Sequence, residues 1–255
     1  MKAMILAAGL GTRLRPLTNG RPKALVTVAG RTLLEIALYR LRTFGVTEAI
    51  VNTHHYAEMI VDYMKANGDF GMRIEVSHED MLLDTGGGLK KAAPFFLDSS
   101  TSMEEPFILH NVDVISSIDL GSMMRFHMEH NALATLAVQA RETSRYLLFD
   151  ERGLLCGRRD GSAAKAAVEQ IELVGPVNDA RALAFSGIHV ISPRIFAKME
   201  EEGAFSIITA YLRLAAQGER IAAFRADECY WRDLGRPESV AQAARDLASG
   251  TYLRD

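Results

Sequence analysis

The sequence predicts an α/β fold, a Rossmann-like three-layer α/β/α arrangement around a mostly parallel, mixed central sheet. Two observations carry this. Over roughly the first half of the chain, short apolar runs alternate with stretches whose apolar residues recur at helical spacing. The first apolar run also ends in a glycine-bearing loop, the position where open α/β sheets gather ligands beyond their strand ends.

In order along the chain, residues 4–8 and 49–52 are short apolar runs of strand length. Between them Leu33, Leu34, Ile36, Ala37, Leu41 and Phe44 keep helical spacing. Residues 56–66 continue as a helix, 72–77 alternate like a strand, and 88–96 are helical again. Residues 107–109 lead into Asn111-Val112-Asp113 at a strand end, with both polar residues on one side of the strand, and a helix follows around 120–130. After residue 132 the rhythm changes. Residues 133–139, 146–149 and 183–191 read as strands, 157–182 as an irregular flap, and 205–216 and 239–247 as helices flanking a strand at 220–225. No internal repeat is present, so the reading is one domain over residues 1–255. Its first half, 1–132, is the nucleotide side, and 133–255 is the substrate side.

Bulk properties narrow the class. A chain of 255 residues with 48% apolar and 24% charged residues suits a soluble globular protein with a full core. A net charge of -3 offers no overall attraction to nucleic acid, so any anion site is local. Cys156 and Cys229 are too few for a disulfide framework and lack metal-ligand spacing. Neither a leader nor an apolar run long enough to span a membrane is seen. The expectation is a cytoplasmic protein, monomeric or a small homo-oligomer, with no membrane or nucleic-acid partner.

The chemistry concentrates in Leu6-Ala7-Ala8-Gly9-Leu10-Gly11-Thr12-Arg13-Leu14-Arg15-Pro16, followed by Pro22-Lys23. Small residues let a nucleotide approach the backbone, and Arg13 and Lys23 add fixed cations at the rim. Gly9-x-Gly11 is not a dinucleotide fingerprint, because Leu14 stands where a third glycine belongs. A Walker loop is excluded as well, since no Gly-Lys-Ser/Thr occurs. Asp113 is a candidate Mg²⁺ ligand, because that ion takes one or two carboxylates together with phosphate oxygens. Asp119, with Ser116 and Ser117, stands nearer the next helix start and leaves Asp113 free of capping. His54, His55, His127 and His130 lack a third metal ligand; His127 and His130 are expected on an exposed helix face, and His110 in the interior. No nucleophile–histidine set stands out.

This run, with Thr85-Gly86-Gly87-Gly88, Asn111-x-Asp113, Ser186-Gly187-Ile188 and Trp231-x-Asp233, resembles the sugar-1-phosphate nucleotidyltransferases, or nucleotide-sugar pyrophosphorylases, over essentially the whole chain. The resemblance implies the nucleotide-diphospho-sugar transferase type of fold. It implies a nucleotide site formed by Leu6, Ala7, Ala8, Gly9, Gly11, Thr12, Arg13, Thr85, Gly86 and Gly87, and sugar contacts at Asn111 and Gly187. Catalytic roles fall to Arg13, Lys23 and Asp113, and Asp233 joins Asp113 as the second Mg²⁺ ligand. The implied partners are a nucleoside triphosphate, UTP or GTP, and a sugar 1-phosphate. UTP with an N-acetylmuramate-1-phosphate-like sugar is the first reading, and GTP with mannose 1-phosphate the alternative. A different alternative is a non-catalytic nucleotide sensor, against which the joint presence of Arg13, Lys23, Asp113 and Asp233 weighs.

The chain departs from the family in its flap. Many members carry Glu-Lys-Pro there, its lysine holding the sugar phosphate, where this chain has Val168-Glu169-Gln170-Ile171. Lys165, Arg145, Arg158 and Arg159 are the candidate substitutes. Gly235 is followed by Arg236 where threonine is common. No hexapeptide repeats suggest a C-terminal β-helix domain.

Overall fold

The first apolar run forms β1 (Lys2–Leu6), buried almost throughout as a strand covered on both faces must be. The short ribbon β2 (Thr27–Val28) and β3 (Arg31–Thr32) leads into α1 (Leu33–Thr43), where the Thr32 hydroxyl accepts from the Glu35 N–H as an N-cap. Then come β4 (Glu48–Thr53), α2 (Ala57–Ala66), β5 (Arg73–His78), α3 (Asp84–Lys91) and α4 (Ala93–Phe96). Next are β6 (Phe107–Asn111), β7 (Val114–Ser116) and α5 (Leu120–Glu129), the last capped by Asp119 through the Ser122 N–H. The remainder runs β8 (Ala134–Gln139), β9 (Arg145–Phe149), β10 (Leu155–Asp160), β11 (Gln170–Leu173) and β12 (Arg181–Ile191). It finishes with α6 (Ile207–Ala216), β13 (Ile221–Arg225), β14 (Trp231–Asp233) and α7 (Pro237–Ala248). This computed structural model describes residues 1–98, 105–161, 170–174 and 179–250.

Strands β6, β1, β4 and β5 pair in parallel, in that spatial order. Leu6 lies opposite both Asn52 and Asn111, so three strands end together and form one carboxyl edge. Beyond β6 the sheet turns antiparallel through β12, which pairs with β6, β8 and β9, and β10 and β11 extend that side. The alternation of β1 shows the layering: Ala3 and Ile5 pack into one apolar cluster with Leu34 and Leu38, and Met4 packs into the other with Leu109 and Tyr211. The expected three-layer α/β/α fold with a mixed sheet is what forms. Among the described residues no helix is long and apolar enough to cross a membrane.

Four local expectations change. Part of the expected flap is regular, because β10 pairs antiparallel with β11 from Gly157 opposite Leu173 to Asp160 opposite Gln170. All four residues of β11 are exposed, so no buried stripe marked it. Asp113 lies in the turn between β6 and β7 rather than on a strand with Asn111. Gly86, Gly87 and Gly88 sit inside α3 rather than before it, and each is buried. His127 is only 2% exposed, not on an outer face, and its Nδ1 meets the Thr135 hydroxyl at 2.9 Å. Lys165 and Glu169 lie outside the described residues.

Candidate active site

The loop after β1 is held from beneath. The Ala7 and Ala8 N–H groups donate to Asn52 Oδ1 at 2.6 and 3.3 Å, and Asn52 Nδ2 donates to Glu79 Oε1 at 2.7 Å. Glu79 is 1% exposed, and its other oxygen accepts from the Leu83 N–H at 3.0 Å. A buried carboxylate is tolerable only when so satisfied. The amides of Ala7 and Ala8, expected at the nucleotide, are thus engaged within the fold. Gly11 has φ +64, and a β-carbon there would come within 3.0 Å of Thr18 Cγ2 and 3.1 Å of Lys23 Cβ. The Thr18 hydroxyl closes the turn by donating to the Gly11 carbonyl at 2.9 Å. Glycine at this position therefore lets Lys23 fold against the loop. Gly9 is exposed with nothing near its α-carbon, and Thr12 lines a small pocket of about 150 Å³ with Arg15, His55 and Tyr56.

Two aspartates far apart in sequence are brought to neighbouring backbone positions by a short ladder. β14 pairs antiparallel with β7, placing Asp233 opposite Val114, and the Leu234 N–H donates to the Asp113 carbonyl at 2.8 Å. Asp113 is 8% exposed and forms an ion pair with Lys23. Asp233 is exposed, and its Oδ1 accepts from the Gly235 N–H at 2.6 Å. A β-carbon on Gly235 would stand 2.7 Å from Asp233 Oδ1 and 3.2 Å from Arg13 Nη2, so Arg13 and Asp233 flank that glycine. The structure thus brings Arg13, Lys23, Asp113 and Asp233 to one end of the carboxyl edge. Among the described residues no group of three or more His, Cys, Asp or Glu side chains is arranged to hold a metal by itself.

A cleft of about 1050 Å³ opens from Arg13, Thr85 and Asp233 toward Asn111, Gly187 and Arg141. Gly187 has φ +74 at a register shift between Phe185 and His189, and a β-carbon there would meet Asn111 Nδ2 at 2.8 Å. The glycine is therefore a bulge residue and a cleft residue at once. Gly86 and Gly87 do not line this cleft. Both of their N–H groups donate to the Phe205 carbonyl, at 2.9 and 3.3 Å. A β-carbon at Gly86 would lie 2.3 Å from the Phe205 ring, and one at Gly87 would lie 2.4 Å from the Gly203 carbonyl. Their small size serves packing between α3 and the segment that leads into α6. Thr85 lines the cleft, and its hydroxyl accepts from the Ile207 N–H at 2.9 Å.

Sequence reasoning missed two features. The Asn52–Glu79 bond joins a strand end to a loop and has no motif. Arg141, just past β8, lies with its guanidinium 3.5 Å from the centre of the Trp231 ring. Its one signal is its place at a strand end, a weak one. The buried histidines carry no charge at neutral pH. Burial drives His110 down to about 4 and His189 down to about 3, so both rings are neutral.

The nucleotidyl transferase family pattern matches residues 2–250. An N-acetylmuramate alpha-1-phosphate uridylyltransferase of Caulobacter vibrioides is 33% identical, over 96% of each chain. A mannose-1-phosphate guanyltransferase beta-B of Xenopus laevis is 31% identical over 93% of this chain, which spans 62% of that longer relative. In fold, a UDP-glucose pyrophosphorylase complexed with UDP-glucose superposes with TM-score 0.72, covering 97% of this chain and 98% of that one at 18% identity. Read with the loop, the two neighbouring aspartates and the cleft, these matches place the chain in the nucleotidyl transferase family, among the sugar-1-phosphate nucleotidyltransferases.

Proposed function

We infer that this chain transfers UMP from UTP to an N-acetylmuramate-like sugar 1-phosphate, releasing pyrophosphate. A phosphate oxygen of the sugar 1-phosphate attacks the α-phosphorus, and the bond from that phosphorus to the α,β-bridging oxygen breaks in line. Such a transfer asks the protein chiefly for alignment and charge neutralisation. The observation that carries the reading is the convergence of Arg13, Lys23, Asp113 and Asp233 at the mouth of a cleft with room for both substrates.

In this reading Arg13, forked and permanently charged, holds the departing β- and γ-phosphates. Lys23, fixed by Asp113, supplies a positive charge to the α-phosphate or the incoming sugar phosphate. Asn111 and Gly187, one from each half of the chain, form the sugar floor; apart from Asn111, residues 1–132 serve the nucleotide, and 133–255 largely serve the sugar. The donor set fits Mg²⁺: two carboxylates on adjacent backbone positions, one buried and one exposed, suit an ion that completes its shell with water and phosphate oxygens. When bound, that ion neutralises phosphate charge and orients the triphosphate. The choice of UTP and of N-acetylmuramate 1-phosphate is supported by the likeness to the Caulobacter enzyme, which runs nearly end to end in both chains.

Pyrophosphate release measured across a matrix of nucleoside triphosphates and sugar 1-phosphates tests all of this. Turnover is expected with UTP and N-acetylmuramate 1-phosphate. Faster turnover with GTP and mannose 1-phosphate replaces the substrate assignment. Tight nucleotide binding without turnover of any pair points to a sensor.

A further inference from the structure

Arg141 is a half-buried cation with no carboxylate in ion-pair contact among the described residues. Its guanidinium plane rests on the Trp231 ring at 3.5 Å, and that ring is fixed by its own Nε1–H, which donates to the Ser186 carbonyl at 2.7 Å. Among the described residues the guanidinium makes one hydrogen bond, from Nη2 to the Phe185 carbonyl at 2.8 Å, and its Nε is buried with no partner. A guanidinium carries five N–H donors, so most of its capacity is unused. Partial burial pulls its pKa down, and the nearby Asp233 opposes that. Holding a partly desolvated charge with so few partners is unfavourable unless an anion from outside completes it. Stacking against an aromatic face leaves the guanidinium edge, the part that matches phosphate geometry, as the binding side.

The other arginines in or near the cleft differ: Arg13 and Arg236 line it but are exposed. Arg158 is paired with Glu172 at 2.8 Å, and Arg232 with Asp246 at 2.9 Å. Arg145 is exposed and has no aromatic platform. Arg159 stacks on Tyr146 at 4.7 Å and does not line the cleft. Arg141 alone combines a fixed pose, partial burial and a place on the cleft wall with Asn111, Gly187 and Asp233.

We propose that Arg141, stacked on Trp231, is the residue that binds the phosphate of the sugar 1-phosphate. It takes the place that the flap lysine fills in many relatives. The assignment rests on the transfer reading above, but an anion site at Arg141 can be tested without turnover.

Trp231 is the only tryptophan in the chain, so its emission reports on what binds to the cation resting on it. Titration of the whole chain with inorganic phosphate, and separately with N-acetylmuramate 1-phosphate, is expected to give a saturable change. Arg141→Gln should weaken both by at least about tenfold, the scale of one charge-assisted contact, with the melting temperature retained. Arg141→Lys should recover part of the loss, and Arg145→Gln should bind within about threefold of the unaltered chain. In steady-state assays Arg141→Gln should raise KM for the sugar 1-phosphate while leaving KM for UTP nearly unchanged. A flat phosphate titration overturns the assignment. So does Arg141→Gln binding like the unaltered chain, or Arg145→Gln losing the response, or the KM effect falling on UTP. If no substrate pair is turned over but phosphate binding still depends on Arg141, the transfer reading fails and the anion site stands. If Arg141→Gln turns over with an unchanged KM for the sugar 1-phosphate, the anion site fails and the transfer reading stands.

Discussion

On the parallel side of the cleft, the loop after β1 is anchored by buried hydrogen bonds through Asn52 and Glu79, and the Ala7 and Ala8 amides are satisfied before any ligand arrives. On the antiparallel side, Arg141 lies on Trp231 with one hydrogen bond among the described residues and most of its donors unused there. The first region is a finished scaffold that presents cations at its rim. The second holds a charge whose partner must come from solution. A triphosphate is common to every reaction of this kind and suits a rigid grip, whereas the acceptor sugar varies and suits a side-chain contact that can be exchanged.

The sharpest way to break that contrast is to remove the rim cation. Arg13→Ala is expected to lower kcat by about 10²–10³, roughly 2.7–4 kcal/mol, with the melting temperature unchanged, as measured by pyrophosphate release. A near-normal rate would make Arg13 part of the scaffold instead. Asn52→Ala should act the opposite way. It strips the acceptor from two buried amides and a partner from Glu79, at a cost of about 3 kcal/mol, and lowers the melting temperature by roughly 6–12 °C. If it melts like the unaltered chain, the loop is not held from beneath. Gly86→Ala should cost roughly 2 kcal/mol in denaturant titration, because the new methyl group meets the Phe205 ring.

The smallest effect concerns acid. Burial lowers His110 and His127 to about 4 and His189 to about 3, below the ordinary 6.5. The unfolded chain therefore binds more protons below pH 6.5, and stability is full above that value and lost as pH falls from it toward 4. At pH 5.5 each ring accounts for about 1.4 kcal/mol of that loss. His127→Phe is expected to remove one such share from the difference in unfolding free energy between pH 7 and 5.5. An unchanged difference would show that His127 is protonated as easily in the folded chain as in the unfolded one.

What could be read from the sequence follows the same divide. The loop, its cations and the parallel strands are local: residues 6–23 lie close in the chain, and strand and helix periods are short-range signals. Asp113 showed itself as a polar residue after an apolar run, although it sits in a turn. Asp233 was reached by family resemblance, and the β7–β14 ladder that brings it to Asp113 has no local signature. The Asn52–Glu79 bond, the Arg141–Trp231 stack and the exposed strand β11 are long-range or unburied features. Hydrophobic patterning is silent about both. Glycines 86 and 87 misled because small size suits a nearby ligand and a nearby backbone equally.

Those glycines have a larger consequence. Where α3 meets the 203–205 segment, the Gly86 and Gly87 amides bond the Phe205 carbonyl directly, the Phe205 ring packs over Gly86, and Phe205 stands just ahead of α6, which packs onto β10 and β13. The main-chain bonds of this seam act as a weld, since no rotamer change can loosen them. Descendants of this sequence can retune the lip of the cleft by exchanging residues such as Arg141. The width of the opening passes down with the backbone itself.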